Sequence, residues 1–330
     1  MDPKVPLRSR FCAQAAQHDT LPDDSVRLVR LAFRRLRTAT RTAAEAVELP
    51  SGVKPKRLSP AVHALSVPRD AEAMADTLRA ASEAVMRDKV HSIARSSGDG
   101  GNKDNSHDGK DTKAGIDEAA TLAAALEALE RRKADGFEEA AQELAAPRTR
   151  DALRALRAAT KKRPKPLDAG ALPAHAGAAA LLHRRADDLF THSAWALERL
   201  LPPRARGPGK SAAPWERALH VEAAKCANLH DLRKHIREVR YAMELFAPLF
   251  AHEPQFEAQI DVMTALQGAI GTMHDVQVCL EFEPELVRCS ALVHALRAAH
   301  DAAWADFRAR RAALLTPQGT AAFVGVLLSS

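Results

Sequence analysis

The chain has 330 residues, of which 46% are hydrophobic, so it can bury the core of one large domain or of two smaller ones. Alanine dominates the apolar residues and runs of β-branched residues are scarce, which predicts an all-α fold. The net charge of +6 is moderate, so its distribution matters more than its total. No apolar run approaches the ~20 residues that a membrane-spanning helix needs, which excludes an integral membrane protein.

The cysteines and the N-terminus favour an intracellular protein, cytoplasmic by default. The 4 cysteines include no C-x-x-C pair, and we expect them to be reduced and partly buried. Residues 1–20 are predicted to be a flexible tail, and they lack the apolar core of a secretory signal. Arg8, Ser9 and Arg10 give only weak support to targeting to an organelle.

The first predicted helix starts near Ser25, runs to about Val47 and carries a stripe of arginines. At roughly 100° per residue, the stripe falls within an arc of roughly 80°, with apolar residues on a separate arc. Its members are Arg27, Arg30, Arg34, Arg37 and Arg41. No acidic residue occurs from Ser25 to Arg41, so this surface repels itself unless counter-ions or an anionic ligand sit on it.

Helices are predicted next over 56–66 and 70–91, with a break at Pro68 and with Asp70 as an N-cap. Residues 96–115 are rich in Gly, Ser, Asn and Asp, and we predict a disordered insertion there. The following helices are predicted at 116–134, 136–146, 148–162 and 174–200, and the helix at 148–162 is strongly basic. A linker is predicted at 202–214.

A second arginine-striped helix is predicted within 215–247, in the same register as the first. The differences 233 − 30, 237 − 34 and 240 − 37 all equal 203, and Arg27 corresponds to His230 in that register. Asp275 repeats Asp70 at a point where a helix would restart. These matches indicate an internal repeat. The remaining helices are predicted at 255–272, 275–282 and 285–314, followed by a ragged apolar tail.

Four segments carry recognisable motifs. Residues 229–246 read LHDLRKHIREVRYAMELF, close to L-H-x-L-R-x-x-x-K/R-x-x-R-Y-x-x-E, and residues 265–278 read ALQGAIGTMHDVQV, close to L-Q-x-x-L-G-x-x-x-D. In the first half, residues 26–37 read VRLVRLAFRRLR and residues 144–156 read LAAPRTRDALRAL. Together these segments resemble the CHAD domain, the conserved histidine α-helical domain, over about residues 20–315 with the insertion removed.

The resemblance implies two antiparallel helical bundles related by an internal pseudo-two-fold duplication, with basic residues lining a groove between them. It also implies binding of inorganic polyphosphate with no reaction attached, and from this we expect targeting to polyphosphate bodies. The expected organisation is one domain over 20–315, with halves at 20–205 and 210–315, and a C-terminal tail at 316–330. Arg27 departs from the family pattern, because it stands where the family has its first histidine.

The chemistry of polyphosphate agrees with arginine stripes independently of the resemblance. Its phosphates are closely spaced and carry neither bases nor apolar surface, so guanidinium groups that fork onto phosphate oxygens suit it. Arg27 to Arg41 spans about 21 Å, room for several phosphates. The expected binding residues are Arg27, Arg30, Arg34, Arg37, Arg184, Arg185, His230, Arg233, Lys234, Arg237, Arg240 and Tyr241.

Several individual residues carry specific expectations. His230 is expected to donate to phosphate with a raised pKa, so that binding strengthens on mild acidification. Tyr241 could donate its hydroxyl or merely pack between helices, and Lys234 is expected at the rim. Arg41 corresponds to Glu244, which could close one end of the stripe or pair with it. Asp187 and Asp188, beside Arg184 and Arg185, would lower affinity if they face the groove.

Two other kinds of binding partner stay open. A nucleic acid would also respond to arginines, although its single-stranded binders usually add aromatic platforms and aromatics are 4% here. The surface could instead bind acidic partner proteins as a scaffold. No catalytic residues, metal ligands or cofactor are predicted, because His230 and His235 splay around a helix and no catalytic motif is evident. The sequence does not decide the oligomeric state.

Overall fold

The computed structural model describes residues 23–50, 52–96, 108–159, 161, 165–196, 214–282 and 284–328. The predicted tail at 1–20, most of the predicted insertion and nearly all of the predicted linker lie outside these residues.

Helices make up almost all of the described chain. They are α1 Asp23–Ala46, α2 Ser59–Ala64, α3 Ser66–Ser96, α4 Asp108–Ala145, α5 Pro147–Ala159, α6 Asp168–Ala171, α7 Ala174–Phe190, α8 Pro214–Phe246, α9 Pro254–Phe282, α10 Ser290–Leu314 and α11 Pro317–Leu328. Short 3₁₀ segments occur at Pro55–Leu58, Ser193–Trp195, Ala247–Phe250 and Pro284–Arg288. The described residues contain no strand beyond an isolated bridge between Val47 and Pro166, so the predicted all-α class is confirmed.

Two predicted helix breaks are absent. Helix α4 runs through Gly136, where a Cβ would lie 2.9 Å from Pro68 Cδ, so this glycine serves a close approach to α3 and not a break. Helix α9 runs without interruption through residues 272–275. Asp70 and Asp275 therefore lie inside helices, and their predicted N-cap roles are wrong. Pro68 stands in the first turn of α3, where a missing N–H removes no helical hydrogen bond.

Three further differences from the prediction concern where helices occur. Helix α4 begins at Asp108, so residues 108–115 of the predicted insertion are helical. Helix α7 ends at Phe190, and not near 200 as predicted. Residues 317–328 form α11 in place of the predicted tail, with Phe323 and Leu327 fully buried. Local propensity is poor in α11, so packing of its apolar side chains is what holds it helical.

The buried residues form three apolar clusters. The first unites α7 to α11 through residues such as Leu182, Ile236 and Phe307. The second joins α3 and α4 to the end of α9 and the start of α10. The third packs α1 on α2, α4 and α5. Although α7 precedes the predicted boundary at 205–210, its buried residues belong to the cluster of α8 and α9. Cys279 and Cys289 are both buried, and Cys279 is a free thiol.

Candidate anion-binding site

Helix α1 has one apolar and one cationic face, and the core decides which way they point. Phe33 is buried in the third cluster, with Val29 and Leu36 packed against it. Burying that face turns the arginine stripe toward α3 and α8, on which α1 also packs. Arg27 is exposed near the start of the helix, whereas Arg30 and Arg34 are half-buried.

Five arginines from the two striped helices come together, and we name Arg30, Arg34, Arg37, Arg233 and Arg237 the central cationic cluster. Burial, followed by the charges of Arg30 and Arg237, lowers the pKa of Arg34 to about 9. Burial is also the main cause that lowers the pKa of Arg237, and the charges of Arg233 and Arg37 lower it further. Since these groups stay charged at neutral pH, the free protein holds mutually repelling, partly desolvated cations.

Little negative charge offsets the cluster. Arg30 Nη2 donates to Asp70 Oδ1 at 2.9 Å, yet Arg30 Nε is buried without a hydrogen-bond partner. Arg34 Nη2 donates to Ser66 Oγ at 3.4 Å. Among the described residues, no carboxylate lies within 4.0 Å of the guanidinium of Arg34 or Arg237. A desolvated cation without a counter-charge favours the arrival of an anion.

His230 lies beside this cluster and is neutral in the free protein. Burial, with the charges of His274, Lys234, Arg233 and Arg237, lowers its pKa to about 4. Its ring centroid is 5.0 Å from that of His274, and its Nδ1 is buried without a partner. The rise of its pKa that we expect beside a bound phosphate would therefore start from this low value. Any rise must come from the ligand itself.

The other predicted residues lie around the cluster. Tyr241 is buried close to Arg34 and Arg237. Arg240 pairs with Glu244 at 3.2 Å, and its guanidinium carbon lies 4.7 Å from the Tyr241 ring centroid. Lys234 is exposed and lies 3.7 Å from Asp231.

Arg184 and Arg185 meet the end of α1. Arg185 Nη2 donates to Glu45 Oε1 at 2.6 Å, and Arg184 lies 3.9 Å from the same carboxylate. Their charge is therefore shared with Glu45. Asp187 and Asp188 are exposed, and His183 pairs with Asp187 at 3.1 Å.

Two ion pairs join α1 to α8 outside the cluster. Arg35 pairs with Glu244 at 2.7 Å, and Arg41 pairs with Glu238 at 2.5 Å. The predicted option that Arg41 pairs with Glu244 is therefore wrong. The differences 238 − 35 and 244 − 41 both equal 203, the offset of the arginine stripes. Adding 203 to Arg35 gives Glu238, and subtracting 203 from Glu244 gives Arg41, so the offset converts one ion pair into the other.

Sequence reasoning missed several residues at the site. Three such residues lie beside the cluster, namely Asp70, His274 and Asp275. The two aspartates were predicted to be N-caps, and no role was predicted for His274. Burial raises the pKa of Asp275, while the charge of Arg233 opposes that rise. The repetition of Asp70 and Asp275 was the available signal. This repetition can be interpreted only when it is known that α3 and α9 pack against the arginine-striped helices.

A second polar group forms where His192, Asp231 and His235 come together. His192 Nε2 is 3.3 Å from Asp231 Oδ2, and the backbone N–H of Ala194 donates to His192 Nδ1. With Nδ1 accepting, the neutral ring carries its proton on Nε2 and donates it to Asp231. Hydrogen bonding therefore accounts for this trio better than metal ligation. His235 is partly exposed.

The molecule is thus an all-α protein in which two arginine-striped helices meet at a half-buried cationic cluster. The family model of the CHAD domain matches residues 9–282. The chain belongs to the CHAD domain family, which confirms the resemblance seen in its motifs. The match ends with α9, so α10 and α11 lie beyond it. A comparison with curated proteins finds no match. Among the described helices, none combines the length and apolar character that spanning a bilayer requires.

Proposed function

We propose that this chain binds inorganic polyphosphate, without catalysing a reaction, in a basic groove that contains the central cationic cluster. The observation that carries the proposal is the partly desolvated set of arginines from α1 and α8, with little negative charge to offset it. Membership of the CHAD domain family is consistent with this ligand.

The density of charge favours polyphosphate over the other polyanions. Arginines that lie this close together need a ligand whose anionic groups are equally close, because each guanidinium left without a counter-charge stays destabilised. The cluster offers few aromatic surfaces, since Tyr241 is buried and the phenylalanines near it pack in the apolar clusters. Nucleic acid, whose single-stranded binders use such surfaces for stacking, fits less well.

We also propose that the fold is duplicated, with two helical bundles related by a pseudo-two-fold axis. The exchange of Arg35–Glu244 with Arg41–Glu238 under the 203-residue offset supports this. A two-fold axis between α1 and α8 would produce such an exchange, and it would bring Arg30 near Arg233 and Arg34 near Arg237. The charges in both of these arginine pairs interact.

A salt-series titration tests the function. The full chain is titrated with long-chain polyphosphate at increasing salt, and RNA and double-stranded DNA are then added as competitors. We expect a steep loss of affinity with salt, since each arginine that neutralises a phosphate releases a counter-ion. We also expect polyphosphate binding to persist in excess nucleic acid. Equal competition by all three polyanions would overturn the proposal in favour of a general polyanion surface.

A further inference from the structure

Gly271 of α9 lies directly against the guanidinium of Arg233. The glycine is buried, and a Cβ built on it would lie 2.9 Å from Nη2, 3.4 Å from Cζ and 3.6 Å from Nε of Arg233. Three atoms of one planar group at these distances mean that the guanidinium lies against the helix backbone. A Cβ at 271 would therefore force the end of the Arg233 side chain to move.

Helix propensity gives no reason for a glycine at this position. A glycine inside a helix is unfavourable relative to alanine, because it loses more backbone freedom on folding. Gly271 stands in the interior of α9, many residues from either end. The guanidinium of Arg233 does give a reason, because it lies in space that a Cβ at 271 would need.

The first half of the chain has a matching arrangement on α3. Ser66 and Asp70 are four residues apart, as are Gly271 and Asp275, and the differences 271 − 66 and 275 − 70 both equal 205. Ser66 accepts a hydrogen bond from Arg34, and Asp70 accepts one from Arg30. In each half, a small residue and an aspartate one turn later therefore lie beside arginines of the central cationic cluster.

We propose that Gly271 is a positioning residue for anion binding. Because it has no side chain, the Arg233 guanidinium can pack against it within the central cationic cluster. Ser66 holds the equivalent position on α3, where it bonds Arg34, which corresponds to Arg237 in the 203-residue register and not to Arg233. The inference rests on the proposed function, because it identifies what holds one of the arginines in that site. It gives a physical meaning to the spacing of the glycine and the aspartate in residues 266–275.

The test compares two glycine-to-alanine variants of the same helix. Gly268→Ala is the matched control, because Gly268 is exposed and its added Cβ would meet nothing within 4 Å. We expect Gly271→Ala to weaken binding of long-chain polyphosphate about tenfold, as for loss of one charge-assisted hydrogen bond. Gly268→Ala should leave binding unchanged. Equal affinities of the two folded variants would overturn the inference.

A second background separates positioning from a general structural effect. Lysine at 233 keeps the charge but lacks the planar group that touches Gly271, so Gly271→Ala should have no further effect on binding in an Arg233→Lys chain. An equal loss of affinity in both backgrounds would show that Arg233 is not involved. If Gly271→Ala prevents folding, Arg233→Lys should restore it, and failure to do so would also overturn the inference.

These variants also distinguish the inference from the proposed function. If Arg233→Ala and Arg237→Ala together leave polyphosphate affinity unchanged in a folded chain, the proposed site is wrong. If those arginine variants weaken binding while Gly271→Ala behaves like Gly268→Ala, the site stands and only the role of Gly271 fails.

Discussion

His230 is held neutral by its neighbours, and this gives it a particular response to pH. The folded protein lowers its pKa to about 4 from an ordinary value of 6.5, mainly by burial. A lowered pKa means that the unfolded chain binds a proton more readily than the folded chain. Stability that depends on neutral His230 is therefore complete above about pH 6.5 and is lost as the pH falls toward 4.

We predict that the unfolding temperature falls between pH 6.5 and 4, and that His230→Gln makes this fall smaller. Glutamine keeps a polar side chain without a titrating ring. Thermal unfolding of both chains across this pH range measures the difference. His183→Gln is a suitable control, because His183 is more exposed and pairs with Asp187. Parallel curves for the original chain and His230→Gln would contradict the prediction.

The lowered pKa of His230 also changes the pH range in which acid is expected to strengthen binding. A polyanion beside His230 would raise its pKa, so binding would take up a proton between the free and bound pKa values. Strengthening on acidification should thus extend well below pH 6.5. The sequence supplied the direction of this coupling but not its pH range, because the burial of His230 and its distance from His274 depend on how α8 and α9 pack.

At the scale of helices, α1 and α8 were predictable because each carries its own pattern. Arginines spaced three and four residues apart define a face whatever surrounds the helix, and their common offset is visible in the sequence. The misplaced breaks at Gly136 and near Asp275 had another cause. Glycine and aspartate often mark helix ends, but here one allows contact with Pro68 and the other faces the central cationic cluster. Neither role can be deduced from local spacing.

We predict that Glu238→Gln and Glu244→Gln change polyphosphate affinity in the same direction, because their ion pairs with Arg41 and Arg35 exchange under the 203-residue offset. Glu238→Gln releases Arg41, and Glu244→Gln releases Arg35 together with Arg240, so polyphosphate affinity should rise in both chains. Glu238→Gln should cost at most about 1 kcal/mol of stability, since Arg41 is about half exposed. Glu244→Gln should cost more, because its pair with Arg240 is largely buried. Affinity and denaturant unfolding measure both effects. Opposite effects on affinity would contradict the proposed two-fold relation.

At the scale of the whole molecule, the family match and the apolar core end at different places. The match stops at residue 282, but α10 and α11 supply Leu296, Phe307, Phe323 and Leu327, all fully buried. These helices complete the first cluster, which holds α8 and α9 together. The sequence could not show this, because a short apolar segment at the end of a chain has no pattern that separates a core helix from a tail.

We predict that a chain ending at residue 282 does not unfold cooperatively. Loss of a single buried Phe side chain typically costs about 3–5 kcal/mol, and a domain has only about 5–15 kcal/mol of stability in total. Circular dichroism during thermal unfolding tests this, with a chain ending at Leu328 as the control. A sharp transition in the shorter chain would show that α10 and α11 are dispensable.

The late position of α10 and α11 has a consequence for biosynthesis. Translation completes both arginine stripes before it reaches the helices that cover the apolar faces of α8 and α9. For that interval the nascent chain exposes cationic and apolar surface together, close to the RNA of the ribosome. We therefore expect this protein to rely on chaperones during synthesis, and to acquire its selectivity among polyanions only after α10 and α11 have packed.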